Sequence, residues 1–215
     1  PRRAAANTAI AGPIRTRATP LVKEGEELAR QGDHGGASAK FRQAQALNPP
    51  ADTPVYVWIE PGEFIMGSTD EQCRQADLDS CPSDEQATHT VTLDGYWLLR
   101  TEVTNEQYKR CVDAKACDAP GYPGWDNRQF AKQPAATVDW SQASQYAAGV
   151  GGRLPSEAEW EYACRDSDSR IYPWGNQKPS SDRVNYYYGD GINTPTEVGS
   201  YPPGANGLYD MAGNV

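Results

Sequence analysis

The 215-residue sequence lacks any apolar run of about 18 residues, the length that a membrane-spanning helix requires. It is also poor in positive charge, because 20 Lys and Arg stand against 29 Asp and Glu and give a net charge of −9. Binding to nucleic acid depends on clustered Lys and Arg that neutralise phosphates. We therefore expect neither a membrane span nor a nucleic-acid partner for this chain, and a cation is the more natural charged partner.

Histidine is almost absent, since His34 and His89 are the only two in the chain. A His-rich iron site therefore cannot be assembled from these residues. The sequence contains neither a Gly-x-Ser-x-Gly nucleophile elbow nor a Gly-rich phosphate loop. Ser141 and Ser156 lie at predicted helix starts. We accordingly assign no catalytic residue within this sequence.

The composition favours a loop-rich globular fold. The hydrophobic fraction is only 38%, and the chain has 20 Gly and 17 Pro. Six Trp and twelve Tyr nevertheless supply large side chains for a core, which argues against disorder throughout. This length and composition predict one main domain with a small helical appendage.

The N-terminal residues differ in character from the rest. Residues 1–20 show no periodicity and read as a linker. Residues 21–50 resemble one tetratricopeptide unit, a helical hairpin with a turn at "QGDHGG", on the residues Ala29, Gly32, Ala37, Phe41, Ala44 and Leu47 followed by Asn48 and Pro49. A single unit of this kind needs a neighbour to cover its apolar face, so we expect it to dock on the main domain or on further repeats.

Short strands and three helices are predicted for the main domain, residues 51–215. The stretch 55–68 reads as two strands about a Pro61-Gly62 turn, and 89–104 reads as strand, turn and strand. Each helix begins with a capping box. The three boxes are Thr104 with Gln107, Asp139 with Gln142, and Ser156 with Glu159. No further helix is predicted beyond Arg165.

Two of the cysteine spacings are those of short-range disulfides. Cys73 with Cys81, and Cys111 with Cys117, form two close pairs, and Cys164 is left over. Two such pairs favour an oxidising compartment, although reduced cytosolic thiols at the same spacings are the alternative.

Six segments match a known signature in order and spacing: "PGEFIMGS", "TEVTNEQY", "VDWSQASQYA", "GGRLPSEAEWEYACR", "YPWGN" and "NGLYDMAGNV". On these segments the chain, from Val55 to Val215, resembles the formylglycine-generating-enzyme (sulfatase-modifying-factor) family. The resemblance implies an α+β fold, an irregular, loop-rich variant of the C-type-lectin fold. These motifs are diagnostic of the fold and do not establish an activity.

The same motifs also have a purely structural interpretation. In "GGRLPSEAEWEYACR" we expect a tight turn at Gly151, a packed Trp160, and charge pairs between Arg153 and the nearby Glu residues. In "YPWGN" we expect a turn with Trp174 buried and Gly175 in a conformation that favours glycine.

A first calcium site is implied by the resemblance. It maps onto the side chains of Asn185 and Asp190 and the carbonyl oxygens of Tyr186 and Ile192. Calcium prefers about six to eight oxygen ligands, and a loop rich in Asn, Asp and Gly can supply them.

A second calcium site maps onto the end of the sequence. Its ligands are the side chain of Asp210 and the carbonyl oxygens of Gly213 and Val215. The family's remaining ligand, a Glu, would fall two residues past Val215. A domain of this family without its last strands would leave apolar edges and Trp surfaces unpaired, so we expect a companion polypeptide to complete the domain.

The resemblance also bears on catalysis. Oxidising members of the family bind copper through a cysteine pair near the C-terminus, in a segment that would lie beyond Val215. Copper is thus expected only if that segment carries the pair. Cys164 matches a structural cysteine of the family whose disulfide partner would also lie there.

Three functions remain open at this point. The first is a non-catalytic binding or scaffolding module of a bacterial protein, stabilised by calcium and displayed outside the cytoplasm in the periplasm or at the cell surface. The second is a copper-dependent formylglycine-generating oxidase that activates sulfatases. The third is an extracytoplasmic portion of a larger signalling protein such as a membrane kinase. A cytoplasmic location stays open as well.

Overall fold

The computed structural model describes residues 19–33, 35–37, 39–40, 43, 55–83, 85–186 and 194–215. Helix α1 spans Thr19–Arg30, and residues 35–37, 39–40 and 43 are also helical. The remainder of the predicted hairpin falls outside the described residues, so its identity as a tetratricopeptide unit stays a prediction. Among the helices described, none is long and apolar enough to cross a membrane.

Four strands form two small antiparallel sheets in the described part of the chain. Strand β1 is Tyr56–Ile59, β2 is Gly62–Met66, β3 is His89–Leu93 and β4 is Tyr96–Leu99. The predicted strands are confirmed. Strand β1 pairs with β4, and β2 pairs with β3, so that β1 does not pair with β2 and β3 does not pair with β4. The pairing of β2 with β3 is thereby nested inside that of β1 with β4.

Four short α-helices follow the first sheet residues. They are α2 Asp70–Gln75, α3 Asn105–Asp113, α4 Trp140–Gly149 and α5 Glu157–Arg165, with one 3-10 turn at Arg128–Phe130 between α3 and α4. The three predicted capping boxes are confirmed at α3, α4 and α5. After α5 the described residues contain no helix, as expected. Helix α2 was not predicted, although it begins with its own box of Thr69 and Gln72.

Helix α5 packs on the sheets in the first of two cores. This core buries Ile59, Phe64, Tyr162, Ala163 and Leu208. The ring of Tyr162 lies 5.2 Å from that of Phe64, so α5 sits directly on β2. Burial of two aromatic side chains in contact contributes both apolar area and ring packing.

Helices α3 and α4 enclose the second core. It buries Tyr108, Cys111, Cys117, Trp125 and Tyr146. The ring of Tyr108 stacks on Tyr146 at 5.7 Å and meets Trp125 edge-on at 5.9 Å. The two cores together produce a mixed, loop-rich α+β fold, which confirms the predicted fold class.

Both predicted disulfides are present. Cys73 is bonded to Cys81, and Cys111 is bonded to Cys117. Cys164 is the one free cysteine. Bonds of this kind form and persist in a non-reducing environment.

Two tryptophans are less buried than the sequence predicts. Trp160 remains 46% exposed. It lies two residues before Tyr162, about 200° around α5 from the side chain that packs on β2. Trp174 is half-buried, because it stacks on Tyr172 at 5.2 Å at the surface of the turn. Gly175 has a φ of 117°, as expected for a position that favours glycine.

Candidate cation site

The carboxyl groups of Glu102 and Asp210 lie close together. One belongs to the segment after strand β4 and the other to the last described residues of the chain. Glu102 lies between β4 and α3, close to the capping residue Thr104. Asp210 follows Leu208, a fully buried residue of the first core. Glu102 Oε2 is buried and has no hydrogen-bond partner among the described residues. One oxygen of this carboxyl group has therefore been taken out of water without a compensating donor.

The electrostatics of this pair are unfavourable in the absence of a cation or proton. Burial, followed by the negative charge of Asp210, raises the pKa of Glu102 to about 8. Asp210 Oδ2 accepts a 2.6 Å hydrogen bond from Gly199 N. Asp210 also adopts a φ of 55°, in the left-handed region. Two carboxyl groups at one buried position favour a shared positive charge between them.

Asn214 is the residue that holds Glu102 in place. Its Nδ2 donates a 2.9 Å hydrogen bond to Glu102 Oε1. Its Oδ1 accepts hydrogen bonds from Thr196 N at 2.8 Å and from Thr196 Oγ1 at 3.0 Å. Both ends of the amide are therefore occupied.

Asn185 lies against the same network. Its Nδ2 donates to Thr194 O at 2.9 Å and approaches Asn214 Oδ1 at 3.5 Å, and Asn214 N donates to Asn185 O at 3.0 Å. A Cβ at Gly213 would stand 2.5 Å from Asn185 O, so this close approach requires glycine. Asn185 and Gly213, which the sequence assigned to two different calcium sites, thus contact each other.

The remaining predicted ligands are less informative. Tyr186 is described, and its hydroxyl donates to Pro179 O at 3.5 Å. Asp190 and Ile192 lie outside the described residues. Val215 is 68% exposed. Of the seven predicted ligands, the structure places Asn185, Asp210 and Gly213 in one network with Glu102 and Asn214.

Glu102 and Asn214 were not identified from the sequence. Glu102 does carry a signal, because it is a carboxylate in the short segment that follows the apolar strand β4, where the chain leaves the core. Asn214 carries little signal, since Asn is an ordinary turn residue.

The chemistry of these ligands suits a hard cation. Carboxylate, amide and carbonyl oxygens are the donors that calcium prefers, and the buried, unpartnered Oε2 of Glu102 is a place where a cation would be stabilised. Within the described part of the chain, no group of three His, Cys, Asp or Glu comes together. A calcium ion at Glu102 and Asp210 would therefore need amide and carbonyl oxygens to complete its ligands.

The free thiol is a poor candidate for metal or redox chemistry. Burial raises the pKa of Cys164 to about 11. Its Sγ lies 3.6 Å from Met211 O, next to the first core. Because the thiolate is the form that attacks electrophiles and binds metals, the raised pKa should make this thiol slow to react at neutral pH.

Comparison with known proteins agrees with the motifs. Residues 42–215 match the sulfatase-modifying factor enzyme 1-like domain. The chain belongs to this family. The structure of PvdO from Pseudomonas aeruginosa superposes with a TM-score of 0.62 at 31% sequence identity, over 77% of this chain and 69% of PvdO.

Relatives in the family carry different names. The serine/threonine-protein kinase Pkn1 of Chlamydia trachomatis is 36% identical in an alignment of 191 positions, which covers 80% of this chain and 29% of the kinase. The formylglycine-generating enzyme of Mus musculus is 28% identical in an alignment of 249 positions, which covers 86% of this chain and 65% of the enzyme. The chain thus spans less than two thirds of either relative.

Proposed function

We propose that this chain is a non-catalytic binding or scaffolding module of the family, stabilised by calcium. The observation that carries the proposal is the buried, unpartnered Oε2 of Glu102 beside Asp210. A cation there removes the repulsion between the two carboxyl groups and lets both remain ionised. Since Glu102 joins β4 to α3, and Asp210 follows the core residue Leu208, the ion would hold two distant segments together.

The proposed ligands combine the structure with the family resemblance. Glu102 and Asp210 contribute side-chain oxygens, and Gly213 and Val215 contribute carbonyl oxygens. A separate site would use Asn185 and Tyr186 together with Asp190 and Ile192. In this proposal, calcium neutralises the charge of the carboxylates and links segments of the chain that are distant in sequence.

The side chains that are described favour binding over catalysis. His89 is exposed at the start of β3, with Nδ1 2.9 Å from Ala87 O. A groove of about 260 Å³ runs between β4 and α4, and Arg153 is the only charged residue in its wall. Both terminal nitrogens of Arg153 are held by Glu159, at 2.7 and 2.6 Å. These arrangements provide no nucleophile with an adjacent base.

Two alternatives each have some support from the relatives. The name of the mouse relative favours a formylglycine-generating oxidase, which would bind copper through cysteines outside this sequence. The match to the Chlamydia kinase favours the other alternative, in which this domain is one portion of a larger signalling protein. The two disulfides support an extracytoplasmic location for any of the three.

A companion polypeptide that completes the domain is also proposed. Within the described residues each sheet has only two strands, so β2 and β3 pair with each other and with no further strand there. Open strand edges are places where a further strand can add.

Calcium titration of the purified chain by isothermal calorimetry tests the proposal. Saturable binding is expected at Glu102 and Asp210, and Glu102→Gln should remove it. A preparation that includes the proposed companion polypeptide, loaded with copper, is then assayed for oxidation of a cysteine-containing sulfatase peptide. Absence of calcium binding would refute the calcium part, and turnover of the peptide would establish the oxidase alternative.

A further inference from the structure

Asn214 connects three segments that are far apart in sequence. Its side chain reaches Glu102 before α3, and it reaches Thr196 in the segment that follows Thr194. Its backbone N–H donates to Asn185 O at 3.0 Å. Asn214 is only 9% exposed, and Asn185 is 6% exposed. These hydrogen bonds are therefore shielded from water.

The side chain of Asn214 can adopt only one orientation in this setting. Nδ2 faces the acceptor Glu102 Oε1, and Oδ1 faces the donors Thr196 N and Thr196 Oγ1. Reversing the amide would place a donor against Thr196 N and an acceptor against a carboxylate. The donor to Oε1 in turn fixes the Glu102 carboxyl group, whose other oxygen is the unpartnered Oε2.

We propose that Asn214 is a positioning residue that couples the Glu102–Asp210 carboxyl pair to Asn185 and Thr196. Cation binding at the pair would then strengthen the hydrogen bonds around Asn185 and Thr196, and those bonds would in turn increase cation affinity. This inference rests on the proposed calcium binding. Neither Asn214 nor Thr196 is assigned as a ligand, so the claim concerns how the site is held and not what coordinates the ion.

The physical basis is thermodynamic linkage. If binding at the carboxyl pair favours one orientation of Glu102, it favours the Asn214 hydrogen bond that holds this orientation. Any interaction that also holds Asn214 in this orientation, such as that from Thr196 N, is favoured as well. The coupling is reciprocal, so loss of the Asn214 side chain must weaken both cation binding and order at Thr196.

Asn214→Gly is the test variant, because Asn214 has a φ of 88° and glycine accepts this conformation without strain. Asn206→Ala is the control, since Asn206 Nδ2 donates to Ala163 O at 3.2 Å and this bond involves neither carboxyl group. Calcium affinity is measured by calorimetry, and hydrogen exchange of the Thr196 amide is followed by NMR with calcium and with chelator.

In the wild-type chain, calcium should slow exchange of the Thr196 amide. Asn214→Gly should weaken calcium binding about tenfold, within the usual range for coupled sites, and remove the protection. Asn206→Ala should change neither. If the wild type binds calcium but its Thr196 exchange does not respond, or if Asn214→Gly binds like the wild type, the coupling is refuted while the calcium proposal stands. If the wild type binds no calcium, both fail.

A second variant covers the case in which Asn214→Gly does not fold. Thr196→Val keeps the shape of the side chain and removes only the hydroxyl donor to Asn214 Oδ1. It should weaken calcium binding by a smaller factor than Asn214→Gly. Unchanged affinity in this variant would also contradict the coupling.

Discussion

Arg165 Nη1 donates a 2.7 Å hydrogen bond to the carbonyl oxygen of Gly67, and thereby fastens the end of α5 to the end of β2. The same nitrogen lies 2.7 Å from Glu161 Oε1, which also accepts from Gly67 N at 2.9 Å. The remaining Arg165 donors bind the carbonyl oxygens of Arg170 and Ser169. Arg165 is only 8% exposed, so this charged group is buried with its donors paired.

Replacement of this arginine should be strongly destabilising. Arg165→Met leaves Glu161 as a buried charge without its partner, a change that typically costs about 3 to 5 kcal/mol. Arg153→Met is the matched control, because the Arg153 side chain is 49% exposed in its pair with Glu159. Its cost should be about 1 kcal/mol or less. Equal losses in urea unfolding of the two variants would contradict the role assigned to Arg165.

Asp166→Gly should stabilise the protein. Asp166 follows α5 with a φ of 59° and a ψ of −176°, a conformation that is essentially restricted to glycine. Relief of this strain should raise the free energy of unfolding by about 1 kcal/mol. Asp168→Gly is the control and should destabilise, because Asp168 Oδ1 accepts from Arg170 Nε at 2.8 Å. A loss of stability in Asp166→Gly would show that the 2.7 Å bond from Ser167 N to Asp166 Oδ1 outweighs the strain.

The two disulfides should contribute similar amounts to stability. Their cysteines are separated by 8 and 6 residues, so each closes a loop of similar size. The chain-entropy relation gives about 2 kcal/mol for loops of this length. Urea unfolding of the Cys73→Ala/Cys81→Ala and Cys111→Ala/Cys117→Ala double variants measures each contribution. Full stability in either variant would contradict this estimate of its disulfide.

Cys164 should react slowly with alkylating reagents at neutral pH. Burial raises its pKa to about 11, so the reactive thiolate is scarce and the rate should keep rising as the pH approaches that value. Mass spectrometry after timed exposure to iodoacetamide gives the rate, with a free cysteine peptide as the reference. A rate that levels off near pH 8 or 9, as for the peptide, would contradict the buried, protonated thiol.

Glu102→Gln should change stability with opposite sign in chelator and in calcium. In chelator at a pH above the Glu102 pKa of about 8, where both carboxyl groups are ionised, the amide removes the repulsion with Asp210 and can donate to the Asp210 carboxylate. A buried polar group left unsatisfied costs about 1 to 3 kcal/mol, and the variant should regain up to this amount. In calcium the variant should lose the stabilisation seen in the wild type. Glu106→Gln is the control, since Glu106 is exposed in the first turn of α3. A loss of stability for Glu102→Gln in chelator would contradict the claim that the carboxylates of Glu102 and Asp210 repel each other in the wild type.

The helices that could be predicted from the sequence are those whose start signals and apolar positions lie within a few residues of one another. The boxes at Thr104, Asp139 and Ser156 join residues three apart, and an apolar stripe follows each one. Helix α2 has the same signal at Thr69, but its six residues include one buried side chain, Cys73. A short polar helix of this kind has no periodicity to detect.

Features that depend on long-range contacts could not be predicted in the same way. The pairing of β1 with β4 rather than β2 is decided by packing across the core. The meeting of Glu102 with Asp210 likewise requires the finished fold, because nothing near either residue in sequence indicates the other. The family resemblance supplied Asp210 and Gly213, and the structure added the carboxylate and amide that surround them.

The free energy of unfolding of the wild-type chain in chelator and in saturating calcium tests the central claim most directly. A ligand that binds only the folded state stabilises it, by about 2.7 kcal/mol at a concentration one hundred times its dissociation constant. We predict that calcium raises the unfolding free energy and that magnesium at the same concentration raises it less. Identical unfolding curves in chelator and in calcium would contradict a calcium-stabilised module.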